Sequence, residues 1–302
     1  MTEDGWSRRS FIRRSAMVGA AAIGAPVLLS ACTSTSANSS GSDVLSKAKQ
    51  AGTIKVGIAG EQPYGYVDPS GRVTGEAPEV ARAIFQKLGV ANIQAQTTNF
   101  DTLIQGLNAG QYDMVAAGMD ITAKRCQNAA FSVPDYTALV AFLVPKGNPQ
   151  NVTDFASAKA KGVKLAVENG AIEKDYATGS GVPDSQLVSF DSPDELLSAV
   201  TTGRAYAAVL TDISFKTLVK QNPSANVEVA PGFQPVVNGQ KQGETGGFVF
   251  RQNETDLVNQ FNQQLTTMHS NGEWLKIAEP FGFTQGNIPG ADVTTAKLCA
   301  AG

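Results

Sequence analysis

Few residues in this chain could do covalent chemistry. Its 302 residues contain one histidine, His269, and three cysteines, Cys32, Cys126 and Cys299. No CxxC or HExxH spacing occurs, so a zinc site of Cys and His ligands is hard to build. No Ser-His-Asp or Cys-His set can be assembled, and the one imidazole falls late in the chain on an expected helix surface. Paired acids such as Glu61 and Asp212 could do acid–base work. They could equally compensate a bound cation. Glu61 stands just past the first expected strand, at the carboxyl end where open α/β sheets bind ligands. Asp212 precedes Ile213, Phe215 and Leu218 and by itself reads as a helix N-cap. Taken alone, Arg125 reads as a solvated first-turn cation, and Tyr64 and Phe100 as core packing. The chemistry on offer is recognition by charge and aromatic surface. The expectation is a binding protein and not an enzyme, with no cofactor and no metal.

Hydrophobic residues make up 42% of the chain and charged residues 17%, with a formal net charge of -3. That is enough apolar material for a sizeable core, and no basic run after the first fourteen residues suggests nucleic-acid binding. The first residues read as an address. Ser7-Arg8-Arg9-Ser10-Phe11-Ile12-Arg13 has the form of a twin-arginine export motif. The apolar stretch Ala16 to Leu29 is too short and too rich in Ala and Gly for a stable membrane span. Leu29-Ser30-Ala31-Cys32 has the form of a lipobox, in which the Cys32 thiol takes a diacylglycerol. Residues 1–31 are therefore expected to be a signal. The mature protein would begin at Cys32, lipid-anchored at the outer face of the cytoplasmic membrane. Residues 32–44, rich in Ser, Thr, Asn and Gly, are expected to be a flexible tether. Cys126 and Cys299 then remain in an oxidising compartment, where a disulfide pinning the C-terminal tail is expected; two free thiols are the alternative.

Strands alternate with helices along the body. Thr53 to Ile58 alternates and is β-branched, as a strand does. In Glu79 to Leu88 the residues Val80, Ile84 and Leu88 recur on one helical face. Ile93 to Thr98 reads as a strand, Asp101 opens a helix that Gly110 stops, and Met114 to Ala117 reads as a buried strand. A quasi-repeat follows. DTLIQGLNAG at 101–110 is echoed by DELLSAVTTG at 194–203, and each copy runs into a short apolar strand, Met114 to Ala117 and Ala207 to Leu210. The pattern predicts an α/β fold of two similar lobes with mainly parallel sheets. Pro145-Lys146-Gly147-Asn148-Pro149 marks the passage to the second lobe, and the polar, Gly-rich stretch Gly239 to Gly247 the return. The expected division is residues 45–143 plus 244–302 for lobe 1 and 144–243 for lobe 2, joined by a two-strand hinge that lets the lobes close on a ligand.

Particular stretches carry a resemblance. They are Phe100-Asp101-Thr102-Leu103-Ile104, the run from Gly110 to Arg125, Phe131-Ser132, Gly247-Phe248-Val249-Phe250-Arg251, and Gly272 with Trp274 and Ile277. In these the chain resembles the type II periplasmic solute-binding proteins of ABC importers, in the polar-amino-acid branch. Gly60 to Tyr66, Gly75 to Val80, Lys124-Arg125-Cys126, Pro280 to Phe283 and the tail Thr294 to Cys299 look most like the ectoine- and hydroxyectoine-binding members.

The resemblance implies a small zwitterionic ligand, with ectoine or hydroxyectoine expected first and a polar or basic amino acid as the alternative, ABC permease subunits as partners and a monomeric receptor. Moving a zwitterion out of water requires compensation of both its charges. Arg125 would grip the ligand carboxylate bidentately, beside backbone groups of Gly118 and Asp120. Glu61 would face the cationic nitrogen, while Tyr64 and Phe100, and more weakly Tyr66, would stack on it. In the second lobe the turn Gly170, Ala171, Ile172 would offer backbone N–H groups at a helix start, and Asp212 would hold an α-ammonium. Asp120 departs from the ectoine-binding pattern, where an aromatic is usual. Glu61, Asp120 and Asp212 together would suit a more positively charged ligand, such as a basic amino acid. An extracytoplasmic sensor module is the less expected alternative, since no transmembrane span or signalling domain follows the body.

Overall fold

The computed structural model describes residues 44–300. The expected signal, the lipidation site Cys32 and all but the last residue of the expected tether lie outside those residues. That last residue, Val44, opens the helix Val44–Ala51.

Two sheets with the same internal order form the body. In the first, the strands run Asn92–Thr97, Thr53–Ile58, Met114–Asp120, Glu244–Phe250 and Ala130–Phe131. The first three are mutually parallel, and Glu244–Phe250 lies antiparallel to Met114–Asp120. In the second sheet the order is Leu187–Phe190, Leu165–Glu168, Ala207–Thr211, Val140–Pro145 and Val227–Val229. Again three strands are parallel, and Val140–Pro145 lies antiparallel to the third. The two copies of the quasi-repeat thus occupy equivalent places. The fold is the two-lobed α/β architecture of type II periplasmic binding proteins.

Each lobe has its own core. Val80, Ala81, Ile84 and Phe85 of the helix Glu76–Lys87 pack with Ile54, Val56, Ile58 and Met114, and the far side is closed by Phe261, Leu265 and Trp274. In lobe 2, Phe142, Val144, Leu165, Val167 and Val209 pack with Phe155 on one face of the sheet, and Leu143, Leu196 and Phe215 cover the other. Residues 140 to 144 are wholly buried, so this run is a full strand of the second sheet. It begins four residues before the expected start of lobe 2, and Pro145 marks the strand's end rather than the lobe's beginning. Glu244–Phe250 is likewise fully buried. The Gly-rich stretch expected as a return crossing is therefore partly a central strand, where small residues admit neighbours. A Cβ on Gly246 would lie 2.2 Å from the Tyr136 ring.

The two copies of the repeat differ in their start. The second is a single helix, Pro193–Thr201, capped by the Ser192 hydroxyl. The first opens as a 3₁₀ turn, Phe100–Thr102, without a side-chain cap, before the helix Leu103–Asn108. That turn leaves Phe100 facing the second lobe. At the C-terminus, Cys126 and Cys299 are bridged with their Cα atoms 5.6 Å apart, and Leu298 and Cys299 pack against the core cluster that contains Phe100 and Leu103. Among the described residues no helix is long and apolar enough to cross a membrane.

Candidate functional site

The carboxyl ends of the parallel strands in both lobes face one another across a narrow cavity of about 20 Å³. Lobe 1 contributes Glu61, Tyr64, Phe100, Gly118 and Asp120; lobe 2 contributes Glu168, Ala171, Ile172, Glu173, Leu210 and Thr211. Strand ends converge here because the crossover helices run on the flanks, which leaves the strand-to-helix turns as the only backbone free to meet the other lobe. Gly118 adopts φ +60°, and a Cβ there would lie 2.3 Å from the Tyr64 ring, so glycine lets that ring lie flat on the strand. Tyr64 is itself packed on Tyr136 and Phe283.

A one-way relay of hydroxyls ties the lobes together. The Tyr64 hydroxyl donates to Thr211 Oγ1 at 3.1 Å, Thr211 donates to Ser214 Oγ at 3.0 Å, and Ser214 donates to Glu61 Oε1. Thr211 also caps the helix Asp212–Gln221 by accepting from the Ser214 N–H. Ile213, next in that helix, packs into the lobe 1 core.

Arg125 bridges the lobes at the cavity's edge. Its Nη1 donates to the Asp120 carbonyl and its Nη2 to the Gly170 carbonyl of lobe 2, both at 2.8 Å. The guanidinium lies 5.4 Å from the Phe100 ring centroid. Arg125 sits in the first turn of the helix Ala123–Cys126, whose N-cap Thr122 accepts from its N–H. Beyond it an outer groove opens between the lobes, lined by Asp101, Gln105, Lys124, Arg125, Gly170 and Asp175 among others.

The cavity wall is acidic. Burial pushes Glu61 up to about 7, opposed by the Ser214 hydrogen bond and reinforced by the charge of Asp120. Burial raises Asp120 to about 6 against the pull of Arg125, and Glu173 to about 8. Glu168 and the neighbouring Glu244 are driven well above the carboxylate range by burial, then by Glu61 for the former and Glu173 for the latter. Among the described residues, Asp120 Oδ1 and both carboxyl oxygens of Glu244 are buried without a hydrogen-bond partner. Such a wall is costly unless it is protonated or meets a cation. No group of three or more acids, His or Cys among the described residues is arranged to hold a metal ion.

The sequence-nominated residues fall into three groups. Glu61, Tyr64, Phe100, Gly118, Asp120, Ala171 and Ile172 line the cavity, while Arg125 and Gly170 form its rim. Tyr64 is 1% exposed, so it is at once core and wall. Asp212 does not reach the cavity. Its carboxylate pairs with Lys216 and accepts from the Leu139 N–H, because as the first residue of its helix it turns outward while Thr211 takes the cap. Tyr66 instead lines an outer groove with Pro63, Lys216 and Phe281. His269 is not a surface residue either; it is half-buried on the Asp135 carbonyl and the Trp274 ring. Sequence reasoning missed Glu168, Thr211, Ser214, Glu173 and Glu244. The strand-end argument that singled out Glu61 applies equally to Glu168, which closes the run Leu165-Ala166-Val167, and to Thr211.

Residues 54–285 match the family model of bacterial extracellular solute-binding proteins, family 3. The chain belongs to this family, whose relatives here are solute receptors of ABC importers. A probable amino-acid ABC transporter periplasmic-binding protein, y4tE of Sinorhizobium fredii, is 35% identical over 88% of this chain and 89% of its own. The crystal structure of EhuB in complex with hydroxyectoine is similar with a TM-score of 0.77 at 31% identity, covering 86% of this chain and 99% of that one. An ancestral arginine-binding protein bound to arginine is similar with a TM-score of 0.68 at 30% identity, covering 77% and 99%. These relatives are substrate-binding proteins rather than enzymes, and the family's proteins work outside the cytoplasm.

Proposed function

We propose that this receptor captures a small zwitterion of net positive charge, a basic amino acid such as arginine, by closing its two lobes over it. One observation carries the reading: four carboxyl groups, Glu61, Asp120, Glu168 and Glu173, wall a single interlobe cavity. The cations at its margin are Arg125 on the rim and Lys124 further out in the groove. Leaving several buried carboxylates uncompensated would cost several kcal/mol each, so a ligand with two cationic nitrogens and one carboxylate suits the wall better than a neutral one. Arg125 would exchange one of its carbonyl partners for the ligand carboxylate, which Coulomb attraction favours. The similarity to the arginine-bound ancestral protein supports this.

A second reading makes the ligand ectoine or hydroxyectoine. Its support is the similarity to the hydroxyectoine complex and the fit of an amidinium to Glu61 between aromatic faces. Mass spectrometry of the small molecule released on denaturing natively purified protein separates the two. An arginine-like mass supports the first reading, an ectoine mass the second, and a sugar or dicarboxylate neither.

The ligand is bound and delivered unchanged, so prolonged incubation should return it intact. The receptor acts as a monomer, held to the membrane by a diacylglycerol on Cys32 after twin-arginine export, on the strength of the motifs at residues 7–13 and 29–32. Residues 1–31 would serve as signal and 32–43 as tether, with 44–139 plus 244–302 as lobe 1 and 140–243 as lobe 2. Cys32→Ala should move the protein from the membrane fraction to the soluble one.

A further inference from the structure

Glu244 lies outside the set of cavity-lining residues, yet it is a fully buried acid beside the cavity's acidic wall. It opens the strand Glu244–Phe250, at the boundary where the chain re-enters lobe 1, and is 1% exposed. Both its carboxyl oxygens lack a partner among the described residues. The carboxyl of Glu173, on the lobe 2 helix Ile172–Gly179, lies next to it. Two carboxylates are acceptors only, so the contact becomes a hydrogen bond when one proton sits between them. Asp120 Oδ1, the third acid of this corner, is likewise without a partner, and it lines the cavity together with Glu173.

We propose that Glu173 and Glu244 form a second cation subsite, which holds a shared proton before the solute arrives and exchanges it for a cationic nitrogen when the cavity fills. This deepens the reading of the cavity as a site for a basic solute and rests on it. Nearer the middle, Glu61 and Glu168 serve one cationic centre. The Glu173–Glu244 corner serves the other, so the preferred class carries two cationic nitrogens separated by a chain.

The groups facing this corner come from every element packed around it. Glu61 follows the strand Thr53–Ile58, Asp120 ends the strand Met114–Asp120, and Glu168 closes the lobe 2 strand Leu165–Glu168. Asp101 and Asp191 add negative potential at Glu168. Tyr64, Tyr136 and Tyr176 stay neutral, since burial raises each of them. Arg125 is the one cation that acts on both Asp120 and Glu173. With one guanidinium against five carboxyls, the balance near neutral pH is completed by protons, and an entering cation displaces them to bulk water. The count stays closed: each proton lost from a carboxyl is replaced by one positive charge on the ligand.

The test is calorimetric titration of the wild-type protein with L-arginine and with ectoine at pH 7, in two buffers of different ionisation enthalpy. The proposal expects release of roughly one proton per arginine bound. It expects Glu244→Gln, an isosteric change, to cut that release by half or more and to lower the arginine-to-ectoine affinity ratio about tenfold. Glu173→Gln should act in the same direction, with circular dichroism confirming that both variants fold. An unchanged proton count and affinity ratio in both variants would overturn the subsite while leaving the cavity's cation preference standing. Wild-type protein that bound neither probe would remove that preference and the subsite with it.

Discussion

The hydroxyl of Tyr64 in lobe 1 donates to Thr211 Oγ1 in lobe 2 across 3.1 Å, and both residues are buried. Thr211 is at that point also the cap of the helix Asp212–Gln221 and the middle of a relay that ends on Glu61. One side chain therefore couples lobe closure, helix start and the state of an acid in the cavity.

Replacing that hydroxyl should uncouple them. Thr211→Val keeps the shape but removes the cap, at a cost of about 1 kcal/mol, and leaves the Tyr64 hydroxyl buried without a partner, about 1–3 kcal/mol more. The second cost exists only when the lobes meet. Thermal unfolding should reveal the first as a modest loss of stability. Ligand titration should reveal the second as an affinity loss of about tenfold.

Arg125→Ala should abolish capture and spare the fold. The side chain is half-buried, makes two bonds to backbone carbonyls and lies over the Phe100 ring at the edge of a core that has its own packing. Removing the partner of a desolvated carboxylate costs about 2–5 kcal/mol in binding, or at least ~30-fold in Kd. Arg125→Lys should recover little, because an ammonium cannot span the same two acceptors. A marked fall in the thermal midpoint would mean that the residue is structural instead.

Gly170→Ala should hold the lobes apart. Gly170 has φ +78°, and a Cβ there would lie 2.6 Å from Asp101 Cβ in the opposite lobe. The left-handed backbone costs a non-glycine residue roughly 1–2 kcal/mol, which either lobe can bear, but the clash arises only on closure. Small-angle scattering at ligand saturation should give a larger radius of gyration than for the wild type, with at least tenfold weaker binding; an identical radius would contradict the closing contact.

Stability should fall as pH rises. Asp135 is raised by burial from 3.8 to about 7, and its neighbour Glu76, with both oxygens unpartnered, is raised well above its usual value. A carboxyl whose folded pKa exceeds its unfolded one favours the folded state below the unfolded value. It gives that stability up as pH climbs through the folded value, at up to about 1.4 kcal/mol per pH unit per proton. Between pH 4 and 8 the unfolding free energy should therefore decline by a few kcal/mol. Glu76→Gln, which can donate to Asp135, should flatten the decline; a curve that rises over this range would refute the account.

Much of the fold was legible because its signals are local. The buried runs at 54–58, 114–117 and 207–210, and the two Gly-terminated helices that share a pattern, announce a repeated αβ unit. Part of the site was legible for a similar reason, since Glu61 stands just past a strand end that sequence marks, whereas Arg125, which alone reads as a solvated cation, entered only through the family resemblance. The missed part is a matter of long-range partners. Nothing near Glu244 in the chain reveals that its carboxyl will lie against Glu173. Asp212 misled because two adjacent residues, Thr211 and Asp212, could each cap the same helix, and only the lobe opposite decides which one turns inward. Glu168 ends a buried strand of lobe 2 just as Glu61 follows one of lobe 1, so its place at the cavity was marked by the same local signal.

The most direct test is titration calorimetry of the purified body with L-arginine, ectoine, L-glutamate and glucose at pH 7. The acidic interlobe wall and the Arg125 rim predict that arginine binds, ectoine binds more weakly, and glutamate and glucose give no heat of association. Tight binding of glutamate, with arginine silent, would contradict the central claim that this cleft selects a solute for its positive charge.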